Sequence, residues 1–334
     1  MRNMKKWVED LISSEKRVAL PIMTHPGIEM IGKQVYDAVM DGRVHFEAIK
    51  AVNDAYPLSV AATVIMDLTV EAEAFGCEIS FPKDEVPSVV GRLVSDYASV
   101  EALQVPDLTA GRVPQYLLAN KLAVENIDKP ILSGAIGPFS LAGRLFDMTE
   151  IMMACYVEPD TINLLLRKCT DFIKKYILEL KKVGANGVVL AEPAAGLLSN
   201  EDCERFSSVY VKEIVDAVQD ENFLVILHNC GNMGHCTPAM VMTGAWALHF
   251  GNKIDMVKAL EDSPSDVAVM GNLDPVALFK VATPEEMRAA TTELLERTKG
   301  YKNFVLSSGC DTPPEVPEAN IKAFYDALIA FNNQ

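Results

Sequence analysis

The chain has no surplus of positive charge. Its 334 residues carry 30 Lys and Arg against 46 Asp and Glu, a formal net charge of −16. Nucleic-acid binding draws on clustered cations along a phosphate backbone, and a chain this acidic does not offer them. The same field disfavours a polycarboxylate ligand, except where a few local arginines invert it inside a pocket. No apolar run reaches the length of a membrane span, so no membrane partner is expected. The opening Met1-Arg2-Asn3-Met4-Lys5-Lys6-Trp7 runs into acidic and polar residues rather than an apolar stretch with a small-residue cleavage site, and a secretory signal is not expected. Low-complexity tracts are missing too. Seven cysteines, an odd number scattered along the chain, do not make a disulfide framework and fit a reducing cytoplasm.

What is present is apolar and patterned. With 49% hydrophobic and 23% charged residues the chain is expected to be globular with a sizeable core. Eight short apolar runs, each of a length suited to a buried parallel strand, are Val18–Met23, Val60–Met66, Pro130–Ile136, Gly187–Ala191, Leu224–Leu227, Ala245–Phe250, Val267–Gly271 and Phe304–Ser308. Amphipathic stretches separate most of them. Asp160–Val183 repeats apolar residues at three-to-four spacing and ends at Gly184. A second helix is expected over Glu201–Val218 behind Asn200 as N-cap, and a third over Pro284–Thr298 behind Thr283. This alternation fits a single-domain (β/α)8 TIM-type barrel with additional helices spanning residues 1–334, and a doubly wound open sheet would share most of the signals. Phe81–Ala110 and Ser140–Tyr156 are extra to a minimal barrel.

Catalytic groups in such barrels gather where strands end at the C-terminal face. Here Asp67 follows the second run, Glu192 the fourth, His228 and Cys230 end the fifth, Asn272 and Asp274 follow the seventh, and Cys310 follows the eighth. His228 and Cys230 are two residues apart, so on a strand they share a face and can grip one ion, with Cys310 completing an open zinc site. A buried structural histidine and thiol is the alternative. Cys310, in Ser307-Ser308-Gly309-Cys310-Asp311-Thr312-Pro313-Pro314, sits in a polar, turn-rich context that favours a loop-lined cavity. His235 and Cys236 rank below these as ligands, since Cys236 is placed to pack at a helix start. Cys77, Cys155, Cys169 and Cys203 read as core. His25, after the first strand in Thr24-His25-Pro26-Gly27, could reach the mouth but reads first as a turn histidine, and His45 and His249 have no evident partner. Glu192 and Asp67 are catalytic candidates, or else caps of the segments that follow them. Asn272 and Asp274 are candidates for holding a cofactor.

These residues carry a resemblance to the uroporphyrinogen decarboxylase superfamily, and within it to the methylcobamide:coenzyme M methyltransferase branch. Leu68-Thr69-Val70-Glu71-Ala72-Glu73-Ala74-Phe75-Gly76 resembles the segment after the second strand of that branch, and Gly271-Asn272-Leu273-Asp274-Pro275 resembles the seventh-strand motif of the superfamily. The more specific signal is His228-x-Cys230 with Cys310. The resemblance implies that these three ligate zinc, where the decarboxylases carry a histidine in a Gly-His context. The arginine-rich clamp that the decarboxylases place after the first strand is replaced here by Met23-Thr24-His25-Pro26-Gly27-Ile28-Glu29. Asp67 falls where the decarboxylases have a pyrrole-binding aspartate, which points the other way.

The implied chemistry is methyl transfer from a methylcorrinoid to a thiol such as coenzyme M, through a zinc-bound thiolate. The strand-end placement of Glu192 alone makes it a candidate to accept the released proton or to occupy the open site when substrate is missing. The thiol must be deprotonated to attack, and two thiolate ligands keep the metal-bound sulfur electron-rich. No Asp-x-His-x-x-Gly corrinoid signature is found, and His249 lacks the preceding aspartate, so a separate corrinoid protein is the expected partner. The alternatives are a metal-independent decarboxylase and a corrinoid-docking protein without turnover. Specificity would rest on the loops Pro26–Gly32 and Ala194–Asn200.

Overall fold

A computed structural model describes residues 2–334. Seven parallel strands form one curled sheet, in the order β1 (Ala62–Thr63), β4 (Ile131–Ile136), β5 (Gly187–Ala191), β6 (Leu224–Asn229), β7 (Ala247–Phe250), β8 (Ala268–Leu273) and β9 (Phe304–Ser308). A small antiparallel hairpin, β2 (Glu78–Ser80) with β3 (Ser88–Val90), lies outside it, in the segment between β1 and β4. The ring is closed by the stretch around Ala19, which bridges in parallel to both Ser59 and Leu306. The Leu20 amide donates to the Leu306 carbonyl at 2.9 Å, and the Leu306 amide to the Val18 carbonyl at 3.1 Å. The architecture is therefore the TIM-type barrel expected from the alternation of runs, with additional helices, and not an open sheet.

Two of the eight expected strands are much reduced. Val18–Met23 survives as a single bridge at Ala19, and Val60–Met66 as the two residues of β1. Pro21 has no N–H to give a ladder. Its neighbours bond to side chains instead: the Ile22 amide donates to Ser308 Oγ at 3.1 Å and the Met23 amide to Thr63 Oγ1 at 3.3 Å. Beyond Thr63, the Ile65 amide donates to His45 Nε2 at 3.1 Å and the Met66 amide to Asp311 Oδ2 at 3.1 Å. Side chains from the barrel mouth thus end both strands early.

Alternation along the strands divides the apolar residues into two layers. Leu20, Ile22, Leu132, Val189, Leu224, Ile226, Ala247, Ala268, Met270 and Val305 pack together as one cluster inside the ring. The other face meets the outer helices, among them Pro159–Lys182, which turns Leu165, Leu166, Phe172, Ile173 and Tyr176 inward. Pro284–Arg297 begins at a capping box between Thr283 and Glu286, as the sequence pattern indicates. The helix expected over Glu201–Val218 is interrupted by one wide turn at Glu204–Ser208, and its cap is Ser199, whose hydroxyl accepts from the Asp202 amide at 3.1 Å. Among the described residues no helix is long and apolar enough to cross a membrane.

Candidate metal centre

The site lies at the mouth of the barrel, above the interior apolar layer. On β6, Leu224, Ile226 and His228 share one face, so the imidazole continues inward the side-chain column that Leu224 and Ile226 start in the core. Cys230 follows in the turn after β6, and Cys310 follows β9 after Gly309. The loop after β7 presses on Cys230 so closely that a Cβ at Gly251 would fall 2.6 Å from the Cys230 Cα. Glycine at that position lets the two loops meet. One donor atom each from His228, Cys230 and Cys310 lies within 4.8 Å of the others, and His228 Nε2 is 3.6 Å from Cys310 Sγ.

A chain of hydrogen bonds fixes which imidazole nitrogen faces the thiols. The Ser307 hydroxyl donates to the Leu20 carbonyl at 2.6 Å, so its oxygen is free to accept from His249 Nε2 at 2.9 Å. With its proton on Nε2, His249 presents a bare Nδ1, 2.8 Å from His228 Nδ1. His228 therefore donates from Nδ1 and carries a lone pair on Nε2, the nitrogen beside Cys310. Burial, reinforced by the neighbouring His228, pushes His249 well below the ordinary histidine range, which keeps it neutral and able to accept. The partner of His249, which has no evident one in the sequence, is thus His228. The two pair directly in the strand register, and a polar residue inside an otherwise apolar strand is the signal that marks His249.

Proximity to Cys310, with His228 adding, pulls the Cys230 thiol below the ordinary thiol range against its burial, and the Cys310 thiol is pushed up. A cation held by both sulfurs would displace their protons. The donor set suits zinc. Tetrahedral bonds of about 2.0 Å to nitrogen and 2.3 Å to sulfur give a donor separation of roughly 3.5 Å, and the 3.6 Å between His228 and Cys310 falls beside it. Three protein donors leave a fourth position for an exchangeable ligand.

The three donors line a cavity of about 250 Å³ whose apolar wall includes Met66, Leu68, Val86, Ala191, Pro193, Pro313 and Pro314. His25 and Asp311 also line it. Of the two readings of His25, the structure bears out the one that brings it to the mouth: it opens the helix His25–Met30 and is 2% exposed, with both ring nitrogens buried. Its Nδ1 stands 3.5 Å from Asp311 Oδ2.

The remaining candidates sit apart from the three donors and do not line the cavity. Glu192 is buried and caps the helix Pro138–Phe146, accepting from the Ser140 amide at 2.6 Å and the Phe139 amide at 3.3 Å. Gly137 makes room for it, since a Cβ there would fall 1.8 Å from Glu192 Oε2. Burial raises the Glu192 carboxyl to about 7 against the pull of those hydrogen bonds. Asp67 accepts from the Thr69 hydroxyl at 2.6 Å and the Tyr116 hydroxyl at 2.8 Å, and forms a buried ion pair with Arg112. Arg112 also reaches Glu73 at 2.6 Å. The Asn272 amide donates to the Gly251 and Ile254 carbonyls at 2.9 and 2.7 Å, and Asp274 accepts from the Val276 and Ala277 amides at 2.8 and 2.7 Å. Asn272 and Asp274 border a separate surface cleft with Asn252 and Arg297. His235 approaches the Leu198 carbonyl at 2.9 Å, Cys236 is buried beside the same carbonyl, and Cys77, Cys155, Cys169 and Cys203 are buried as expected.

Barrel, mouth and donor triad together describe a TIM-type protein with a metal-competent site at the C-terminal end of its strands. The chain belongs to the uroporphyrinogen decarboxylase family, whose model matches residues 19–331. It is 33% identical over 276 residues to the methylcobamide:CoM methyltransferase MtbA of Methanosarcina acetivorans, covering 78% of this chain and 77% of that one. It is 30% identical over 297 residues to the uroporphyrinogen decarboxylase of Azotobacter vinelandii, covering 84% and 81%. Among solved structures, a methyltransferase from Methanosarcina mazei superposes with a TM-score of 0.88 over 99% of both chains at 24% identity. A B12-independent methionine synthase from Shewanella superposes with a TM-score of 0.58 over 95% of this chain at 14% identity, a likeness of fold.

Proposed function

We propose that this chain transfers a methyl group from a methylcorrinoid, carried on a separate corrinoid protein, to a small thiol of the class that includes coenzyme M. The observation that carries the reading is the meeting of His228, Cys230 and Cys310 at the barrel mouth, with the His228 Nε2 lone pair turned toward the thiols. Support for the methyl donor comes from the similarity to MtbA. His228, Cys230 and Cys310 would hold a zinc ion, which would supply the Lewis acidity needed to deprotonate a thiol at neutral pH, the two cysteine sulfurs keeping the site electron-rich.

The chain's own residues prepare that chemistry. His249 and Ser307 hold the His228 ring in one tautomer, which leaves Nε2 ready as a donor. The apolar wall of Met66, Leu68, Val86 and Pro193 limits water around the reacting sulfur. Glu192, locked on the helix Pro138–Phe146, is assigned a positioning role for that helix, and Asp67 a structural one with Arg112. A decarboxylase reading would draw on Asp67, whose oxygens are taken by Thr69, Tyr116 and Arg112.

The test is demethylation of methylcobalamin, free or on a corrinoid protein, followed by absorbance with a panel of thiols and tetrahydropterins. Zinc-loaded protein is expected to turn over with a thiol, and Cys310→Ser to lose both zinc and turnover. Protein that binds zinc without turning over any acceptor would be a corrinoid-docking module. Protein that purifies without zinc and decarboxylates a porphyrinogen would return it to the metal-free reaction.

A further inference from the structure

One arginine beside the mouth has no ion-pair partner among the described residues. Arg144 stands in the last turn of the helix Pro138–Phe146 and lines a cleft of about 340 Å³ with Thr69, Pro87, Ser88 and Asp147. This cleft and the metal cavity share a wall: Leu68 and Val86 face the cavity, and the residues that follow them, Thr69 and Pro87, face the cleft. The half-buried guanidinium makes one hydrogen bond, from Nη1 to the Ser140 carbonyl of its own helix at 3.3 Å. Its Nε and Nη2 have no protein partner, and neither is closed off from solvent.

The carboxylates around Arg144 act on it only from a distance, and each has another use. Asp67 is taken by Arg112. Glu71 and Glu192 accept backbone amides, and burial pushes both carboxyls up to about 7, so near neutral pH they supply partial countercharge at most. Asp147, the carboxylate that lines the cleft itself, accepts from the Thr149 and Glu150 amides at 2.8 and 3.1 Å, so its charge is met by the N-terminus of the helix Met148–Val157. At the mouth, His25 and Asp311 face each other at 3.5 Å, and a dication held by two thiolates and a neutral imidazole adds no net charge. Arg144 is the cation left over across the two hollows.

A cation drawn partly out of water without a partner loses hydration and gains nothing for it; an oxyanion that accepts from its planar fork restores that loss and fixes an orientation as well. A local positive charge of this kind also inverts, at one point, the field of a chain whose formal net charge is −16. We propose that the cleft receives an acidic group, a sulfonate or carboxylate, on the tail of the methyl acceptor, and that Arg144 is the residue that selects for it. The proposal rests on the thiol-activating reading of the mouth and deepens it: the three donors handle the sulfur, and a side chain on the helix Pro138–Phe146, across the shared wall, reads the other end of the same molecule.

The experiment uses protein loaded with Co2+, whose visible absorption changes when a thiol enters the coordination sphere. It is titrated with 2-mercaptoethanesulfonate, 3-mercaptopropionate and the uncharged 2-mercaptoethanol. The acidic thiols are expected to bind about tenfold more tightly than 2-mercaptoethanol, and Arg144→Gln to remove that advantage while leaving the affinity for 2-mercaptoethanol within about twofold of wild type. Arg144→Lys, which keeps the charge and loses the fork, is expected to retain part of the advantage. A preference for either acid that depends on Arg144 supports the proposal, and the order of the two names the oxyanion. Acidic thiols that bind no better than 2-mercaptoethanol, an advantage that survives in Arg144→Gln, or an equal fall for all three thiols in that variant, the mark of a structural role, overturns the proposal and leaves the thiol-activating reading standing. A Co2+ spectrum that responds to none of the three thiols overturns both.

Discussion

The Nδ1 atoms of His228 and His249 face one another at 2.8 Å, so only one of them can hold a proton. The Ser307 bond to His249 decides that it is His228. Replacing His249 by phenylalanine keeps the ring volume and removes the acceptor, leaving the His228 N–H orphaned in the barrel. Zinc affinity is expected to fall about 10–100-fold, the usual loss when a partner of a metal-binding histidine is removed. Competition with a calibrated chelator measures it, and an unchanged affinity would remove the tautomer argument.

Cys310→Ser tests the donor set itself. Serine is a poor zinc ligand, so the variant should purify with well under one equivalent of metal. Cys236→Ser, in a thiol buried beside the Leu198 carbonyl, should retain full zinc content by elemental analysis. Equal metal content in the two variants would show that Cys310 is not a ligand.

Arg112 and Asp67 are a stability pair. Arg112→Leu leaves the buried Asp67 carboxylate with only the Thr69 and Tyr116 hydroxyls and no countercharge, and breaking a buried ion pair from one side costs about 3–5 kcal/mol. Denaturant unfolding should report a loss of that order while zinc content stays at wild-type level. A variant of normal stability that fails only in turnover would give Asp67 a chemical role.

Glu71 should make the fold less stable as pH rises from acid to neutral. Burial raises its carboxyl to about 7, with the Asp67 charge adding, against a bond from the Ile136 amide at 3.0 Å. Between its ordinary value of 4.5 and about 7 the native state binds the extra proton, so stability is fully present below 4.5 and declines as pH rises through 7. The loss is at most about 3 kcal/mol. Glu71→Gln should be flatter: its melting temperature relative to wild type should rise between pH 5 and pH 8. A constant difference across that range would refute the assignment.

The strands that form the barrel wall were legible because each is a short, mostly apolar run buried on both faces. Gly187–Ala191 and Phe304–Ser308 coincide with β5 and β9. The two runs that shrank did so for reasons largely outside their own pattern: apart from Pro21, it is His45, Ser308 and Asp311, distant in sequence, that take the amides a ladder would have used. The same limit governs the site. His228, Cys230 and Cys310 could be read from ligand spacing and strand ends, whereas His249 and His25 gain their meaning from neighbours across the barrel. The strand-end placement that nominated Glu192, Asp67, Asn272 and Asp274 located them at the correct end of the barrel. It could not tell a side chain facing the cavity from one turned sideways to cap a helix or bind a loop.

The carbonyl that terminates the proton relay belongs to Leu20, in the segment that joins the first part of the chain to the last strand. A nascent chain that has made β6 and β7 already owns the two histidines, but Ser307 and its acceptor come together only when the N-terminal segment docks against β9. Until then nothing dictates which nitrogen of residue 228 is bare. Competence to bind an ion with the correct donor is thus a property of the finished ring, acquired at its final seam.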